Sequence, residues 1–185
     1  MRVSREKAAE NRQRIVEAAA RLFRDDGFDG VGVDAIMKAA GLTHGGFYGH
    51  FASKDALMAE AMSHALDRSS AWQERIGGLS ELVAAYLSDR HRTDRANGCP
   101  VAALGADVAR QDRALRRTLT AGVRRQIDRI VSLLKRGTPA ARRRHALTTY
   151  AGMVGALVLA RAVDDPALAR EILATARATF GDERN

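Results

Sequence analysis

Residues 41–57, GLTHGGFYGHFASKDAL, bring Thr43, His44, Tyr48, His50 and Lys54 together and interleave them with Gly41, Gly45, Gly46 and Gly49. Hydroxyl, imidazole and ammonium groups separated by bare backbone suit contact with a phosphodiester. The glycines let the main chain approach, and the polar tips reach phosphates or base edges. A second stretch, YLSDRHRTDRANGCPVAAL at 86–104, holds His91 and the single cysteine, Cys99. A thiol and an imidazole are the raw material of a nucleophile and its base, but no third orienting group and no phosphate loop accompany them. The histidines have no metal-ligand spacing, so no enzyme activity, cofactor or metal is expected.

The chemistry at Cys99 depends on its place. Asn97-Gly98 reads as a turn and Pro100 suits a first helical position, which makes Cys99 the residue capping a new helix. The helix dipole there favours a thiolate, and Arg90, Arg92 and Arg95 are near in sequence. Two readings stand: a sensor of oxidants or electrophiles, or a small apolar residue packed beside a cavity. Tyr86, His91, Trp72, Tyr150 and Met153 are the further candidates to line such a cavity, offering apolar bulk, most with one polar tip.

The elements that must position these groups read as helices throughout. In residues 8–24, Ile15, Ala18, Ala19, Leu22 and Phe23 recur at helical spacing, and Gly27 ends the helix. A short helix at 33–41 buries Val33, Ile36, Met37 and Ala40 and stops at Gly41. Thr43 is placed to cap a third helix starting near His44, and Ser53 to cap a fourth that runs to about residue 72. Phe47 and Phe51 read as wedges between the first and fourth helices. A helix, a tight glycine turn and a second capped helix make a helix-turn-helix.

Farther on, Leu79, Leu82, Val83, Tyr86 and Leu87 share a face, and residues 100–111 suit a short helix. Leu115, Leu119, Val123, Ile127, Ile130, Val131 and Leu134 mark a long helix. Residues 142–163 are apolar nearly all round through their middle and need cover on most faces. Their apolar run is too short for a membrane span, so a partner subunit is the expected cover, with Gly152 and Gly155 letting backbones approach across it. The fold class is all-α.

Composition bounds the function. The chain of 185 residues is 46% apolar, enough for a core without staples. One cysteine rules out an internal disulfide, and the charged N-terminal run lacks the apolar core of a secretory leader, so a cytoplasmic location is expected. The net charge of +8 is unevenly spread: residues 1–70 hold ten Lys+Arg against ten Asp+Glu, and the excess lies beyond them. Arg116, Arg117, Arg124, Arg125 and Arg142 to Arg144 therefore read as solvated helix faces, and charge alone does not locate a nucleic-acid surface.

Residues 12–62, with the G-L-T turn, the F-Y-G-H-F block and the S-K-D-A-L helix start, resemble the DNA-binding domain of the TetR family of bacterial transcriptional regulators. The G-C-P-V-A-A-L segment resembles one subset of that family, in some of which a cysteine at this place is reactive. The resemblance implies a three-helix DNA-binding domain, residues 1–52, then a larger effector-binding and dimerisation domain, residues 53–185, linked by the helix from about 53 to 72. It implies that Thr43 and His44 open the recognition helix beside Gly45 and Gly46. Tyr48 and His50 then face phosphates or bases, and Lys54 meets a phosphate where a helix N-terminus already favours an anion. Two helices, at about 142–163 and 166–180, or the former with 113–136, would form a four-helix dimer contact.

Two departures accompany the likeness. Val31 and Gly32 stand where relatives carry a hydroxyl, and Gly46 and Gly49 stand where many carry larger side chains. Specificity would then lean on His44, Tyr48, backbone contacts and DNA shape. The implied activity is a homodimeric repressor on a palindromic double-stranded operator, released by a small molecule or by thiol modification at Cys99. The alternative is an architectural DNA-binding protein with no effector.

Overall fold

The computed structural model describes residues 5–182. The first four residues of the charged N-terminal run lie outside them. Every regular element among the described residues is helical. Helix α1 spans Arg5–Asp26, α2 Val33–Ala39 and α3 Lys54–Gln73, with a 3₁₀ helix at His44–Gly49 between the last two. Then follow α4 (Leu79–Tyr86), α5 (Asp89–Thr93), α6 (Pro100–Val108), α7 (Arg113–Leu133), α8 (Pro139–Ala162) and α9 (Pro166–Phe180). None of these helices is long and apolar enough to cross a membrane.

The punctuation follows local chemistry. Gly27 and Gly41 end α1 and α2 in the left-handed region, at φ 76° and 67°. Ser53, Asp112, Thr138 and Asp165 each accept a backbone N–H at the start of α3, α7, α8 and α9, and Pro139 and Pro166 sit where their missing N–H is not needed. Two expectations need correction. Residues 44–49 form a 3₁₀ helix, not the start of an α-helix, and the Thr43 side chain makes no capping bond. Gly45, Gly46 and Gly49 fall within six residues, and their low helix propensity leaves the segment to short i→i+3 bonds. Helix α5 was not legible; it is one turn long and depends on Ser88 Oγ accepting from the His91 N–H at 3.1 Å.

Buried side chains gather in two clusters. The first joins Ile15, Phe23, Ile36, Phe47, Leu57 and Leu66 to Leu104, Val108 and Leu115. The second joins Leu79, Val83, Tyr86 and Cys99 to Ile130, Tyr150, Met153, Leu157 and Leu173. Helix α3 packs on α1 along one side and on α7 along the other. At the α7 contact a Cβ on Gly122 would stand 2.7 Å and 2.9 Å from Leu66 Cδ1 and Cγ, so the two helices meet where a side chain is absent. At the far end, Arg129 of α7 donates to the carbonyls of Gln73 and Ile76, closing the C-terminus of α3.

Gly152 also needs correction as an interface residue. A Cβ there would run into the Phe180 ring of the same chain, so this glycine seats α9 on α8. Gly155 is exposed, with open space where a Cβ would stand.

The segment between α4 and α6 is pinned by His91 and two arginines. His91 Nε2 accepts the Cys99 N–H at 2.9 Å, so its proton sits on Nδ1, which donates to the Tyr86 carbonyl at 2.6 Å. Arg161 of α8 donates to the carbonyls of His91 and Arg92 at 2.6 Å and 3.2 Å. Arg24 of α1 donates through Nε to the Ala96 carbonyl at 2.7 Å. Burial holds His91 below its ordinary value of 6.5, in keeping with the neutral ring these bonds require, and burial lowers His64 as well.

Two predictions follow from these contacts. Gly122→Ala lowers stability by about 1–3 kcal/mol against Leu66 despite alanine's better helix propensity, whereas Gly105→Ala, where a Cβ meets only ordinary contact, raises it by up to about 1 kcal/mol. Urea midpoints of the two variants check the opposite signs. Because His91 is a base whose folded pKa is depressed, the stability it contributes is present above about pH 6.5 and is lost as pH falls toward its folded value. Replacing it by glutamine, His91→Gln, should flatten the loss of urea midpoint between pH 7.5 and pH 5, with the slope due to His64 remaining.

Candidate DNA-binding surface and effector cavity

The 43–50 segment is anchored from inside and bare outside. Phe47 is wholly buried, with Phe51 stacked on it at 5.8 Å and the Tyr48 ring edge-on at 5.2 Å. That anchoring turns Tyr48 outward, where it is 71% exposed. Phe47 and Phe51 are the core wedges that their spacing predicts. Thr43, His44, Gly45 and Gly49 are also exposed, and Gly46 and His50 are half-buried. A Cβ on Gly45 or Gly49 would meet nothing within 4 Å, and one on Gly46 only ordinary contact with Met37. Packing within the described residues therefore gives no reason for these three glycines.

The charged groups here are already engaged. His44 Nδ1 pairs with Asp34 of α2. Lys54 Nζ donates to the Phe28 carbonyl at 2.6 Å and lies 6.0 Å from the Phe23 ring, which ties the first residue of α3 to the turn after α1. Its ammonium is turned inward in this state. Arg12 of α1 pairs with Glu60 of α3 and covers the Phe51 ring at 4.5 Å, fixing the angle between the helices that frame the segment.

A cavity of about 450 Å³ lies beyond the second half of α3. Its lining includes Trp72, Tyr86, His91 and Cys99 from the sequence candidates. Tyr150 and Met153 are not on that wall; both are buried in the second cluster behind it. Cys99 stands at the N-terminus of α6 as expected, with Pro100 at the first position, but it is only 5% exposed. The hydroxyls of Tyr86 and Tyr150 are buried beside the Cys99 thiol, with no nitrogen or oxygen partner among the described residues. Burial, and then the neighbouring Cys99, raise the ionisation of both phenols well above the ordinary tyrosine range.

Sequence reasoning missed the arginines of this cavity: Arg24, Arg68 and Arg90 all line it. Arg24 is 7% exposed, and burial first, then Arg68, push its guanidinium down to about 10. One signal existed, since Arg24 continues the buried series Val16 and Ala20 at i+4 spacing, where a charge is out of place. Arg90 was marked only by its nearness to Cys99 in sequence, and nothing in the local pattern marks Arg68; both stand on exposed helix faces.

Comparison with known proteins agrees with this geometry. Residues 15–61 match the family model for bacterial regulatory proteins of the tetR family. An AcrR transcriptional regulator of Shigella flexneri is 41% identical over 85 residues, covering 46% of this chain and 35% of that protein. A transcriptional repressor AcnR of Corynebacterium efficiens is 32% identical over 90 residues, covering 48% and 47%. The matches thus span about half or less of the length of those curated relatives. A solved TetR-family regulator from Cytophaga hutchinsonii superposes with a TM-score of 0.77 at 20% identity, covering 97% of this chain and 96% of that one. These relatives are transcription regulators, not enzymes. Residues 15–61 thus match the tetR family of bacterial regulatory proteins, and the chain along nearly its whole length has the all-helical fold of a solved TetR-family regulator.

Proposed function

We propose that the protein is a homodimeric transcriptional repressor that holds a palindromic operator and releases it when its cavity is filled or when Cys99, on the cavity wall, is modified. The observation that carries the DNA reading is the exposed, anchored 43–50 segment, whose glycines answer no packing need of the subunit. In this reading residues 1–52 meet DNA. Thr43, His44, Gly45, Gly46, Tyr48 and His50 face phosphates and base edges. Lys54 exchanges its carbonyl partner for a phosphate, a charge-assisted bond in place of a neutral one.

The outer face of α8 and α9 supports the dimer. Leu147, Ala151, Gly155, Val158, Leu159 and Ala162 form one exposed apolar stripe along α8, and Leu168 is a further exposed apolar residue on α9. The outer face of α7 carries Arg116, Arg117, Arg124 and Arg125 instead, which favours α8 with α9 as the four-helix contact. Two-fold symmetry then sets two recognition segments about one DNA turn apart. Between cavity and DNA, α3 is a direct connection. Its first residue bonds the turn after α1, and its last turn carries Trp72 and Gln73 into the cavity wall. Release is a difference in ligand affinity between two dimer geometries.

Fluorescence anisotropy on DNA from upstream of the protein's own gene tests this reading. Tight binding that resists unrelated competitor DNA is expected; equal affinity for both would replace the repressor with an architectural protein. A thiol oxidant that abolishes binding by the native protein, but not by Cys99→Ser, would assign the switch to the thiol. Tyr48→Ala should weaken operator binding by about fivefold to a hundredfold with the fold unchanged, the range of losing one base or phosphate contact. Leu159→Glu, at a position 56% exposed in the subunit, should give a folded monomer by sedimentation velocity and lose most operator affinity.

A further inference from the structure

The effector cavity has a charge that its walls do not balance. Arg24, Arg68 and Arg90 face it with Asp94 as the one carboxylate on its lining. Asp94, whose oxygens accept from the backbone N–H and side-chain amide of Asn97 at 3.0–3.2 Å, offsets one of these three charges and acts on Arg24 without pairing with it. Arg24 is nearly enclosed and has a carbonyl, Ala96, as its partner and no carboxylate among the described residues. A cation withdrawn from water without a counter-charge is costly, and an anion entering the cavity repays that cost. Arg68 and Arg90 make no ion pair among the described residues and stand exposed on the same lining.

One enclosed polar group also wants a ligand. Gln73, 3% exposed, leaves Oε1 without a partner among the described residues and lines the cavity together with Tyr86, whose hydroxyl has the Cys99 thiol beside it. Ala65, Trp72 and Ala85 give the wall its apolar part, beside the polar Ser69, Ser88 and Asn97. We propose that the ligand of this cavity is an organic anion with an apolar body, its acidic head held by Arg68 and Arg90 and facing Arg24, its body against Trp72. The proposal rests on the reading of this cavity as the effector site and adds the chemical class of the effector. An amine would be repelled by three guanidinium groups, and a neutral molecule would leave Arg24 uncompensated.

Trp72 is the chain's single tryptophan, so intrinsic fluorescence reports occupancy directly. The full-length protein is titrated with 4-phenylbutyrate, 4-phenylbutan-1-ol and 4-phenylbutylamine, which share one apolar body. Saturable change with the acid, at least about tenfold tighter than with the alcohol and absent with the amine, is expected. Arg68→Gln, on an exposed face, should remove about tenfold of the acid's affinity and leave the alcohol's unchanged. Alcohol binding as tight as the acid's, an acid affinity indifferent to Arg68→Gln, or no response to the acid would each overturn the proposal. Operator anisotropy, measured separately, keeps the two readings apart. Acid binding without specific DNA binding would sink the repressor and leave the anion site. Specific DNA binding without acid binding would do the reverse.

Discussion

Everything in this subunit is arranged around the burial of α3 between α1 and α7. On one side Ala61, Met62 and Ala65 meet the apolar face of α1, and the Arg12–Glu60 pair fixes the angle between them. On the other, Leu66 enters the space left by Gly122. A helix of twenty residues is about 30 Å long, so α3 reaches from the 43–50 segment to the cavity as one rigid body. Its two ends are tied to different neighbours, Lys54 to the turn after α1 and Gln73 to Arg129 of α7. In the proposed repressor this is the route by which a displacement at the cavity end reaches the 43–50 segment, because close-packed helices shift as units.

Arginine is the other recurring device, used at three joints of the fold to hold backbone carbonyls. Arg24, Arg129 and Arg161 each seize the end of a helix or a loop through C=O groups, joining α1 to the 94–99 turn, α7 to the end of α3, and α8 to α5. A guanidinium serves several acceptors in one plane and stays charged when partly buried. The cost is uncompensated positive charge inside the molecule, and it is concentrated where Arg24 approaches the cavity. The same residue that ties the first helix to the cavity wall thus gives that wall its electrostatic character.

Much of the architecture was legible because it rests on local rules. Periodicity placed the helices, Gly27 and Gly41 ended two of them, Ser53 capped α3, and the buried faces of α4 and α7 followed from apolar spacing. The 3₁₀ geometry of residues 44–49 was not legible, since three glycines weaken the helical preference without stating what replaces it. Neither was the role of Gly152, which depends on where Phe180, twenty-eight positions later, comes to rest.

The sequence by itself determined where the longer helices lie, which of their faces are apolar, and that Tyr48 stands beside a buried Phe47 among glycines. These are properties of residue type and spacing over a few turns. Only the tertiary structure decided that His91 bonds the Cys99 backbone, that Tyr150 and Met153 fall behind the cavity while Trp72 and Tyr86 line it, and that Arg24, Arg68 and Arg90 converge. Those residues come from helices far apart in the chain, and their meeting is fixed by how the helix faces pack together, which no local pattern encodes.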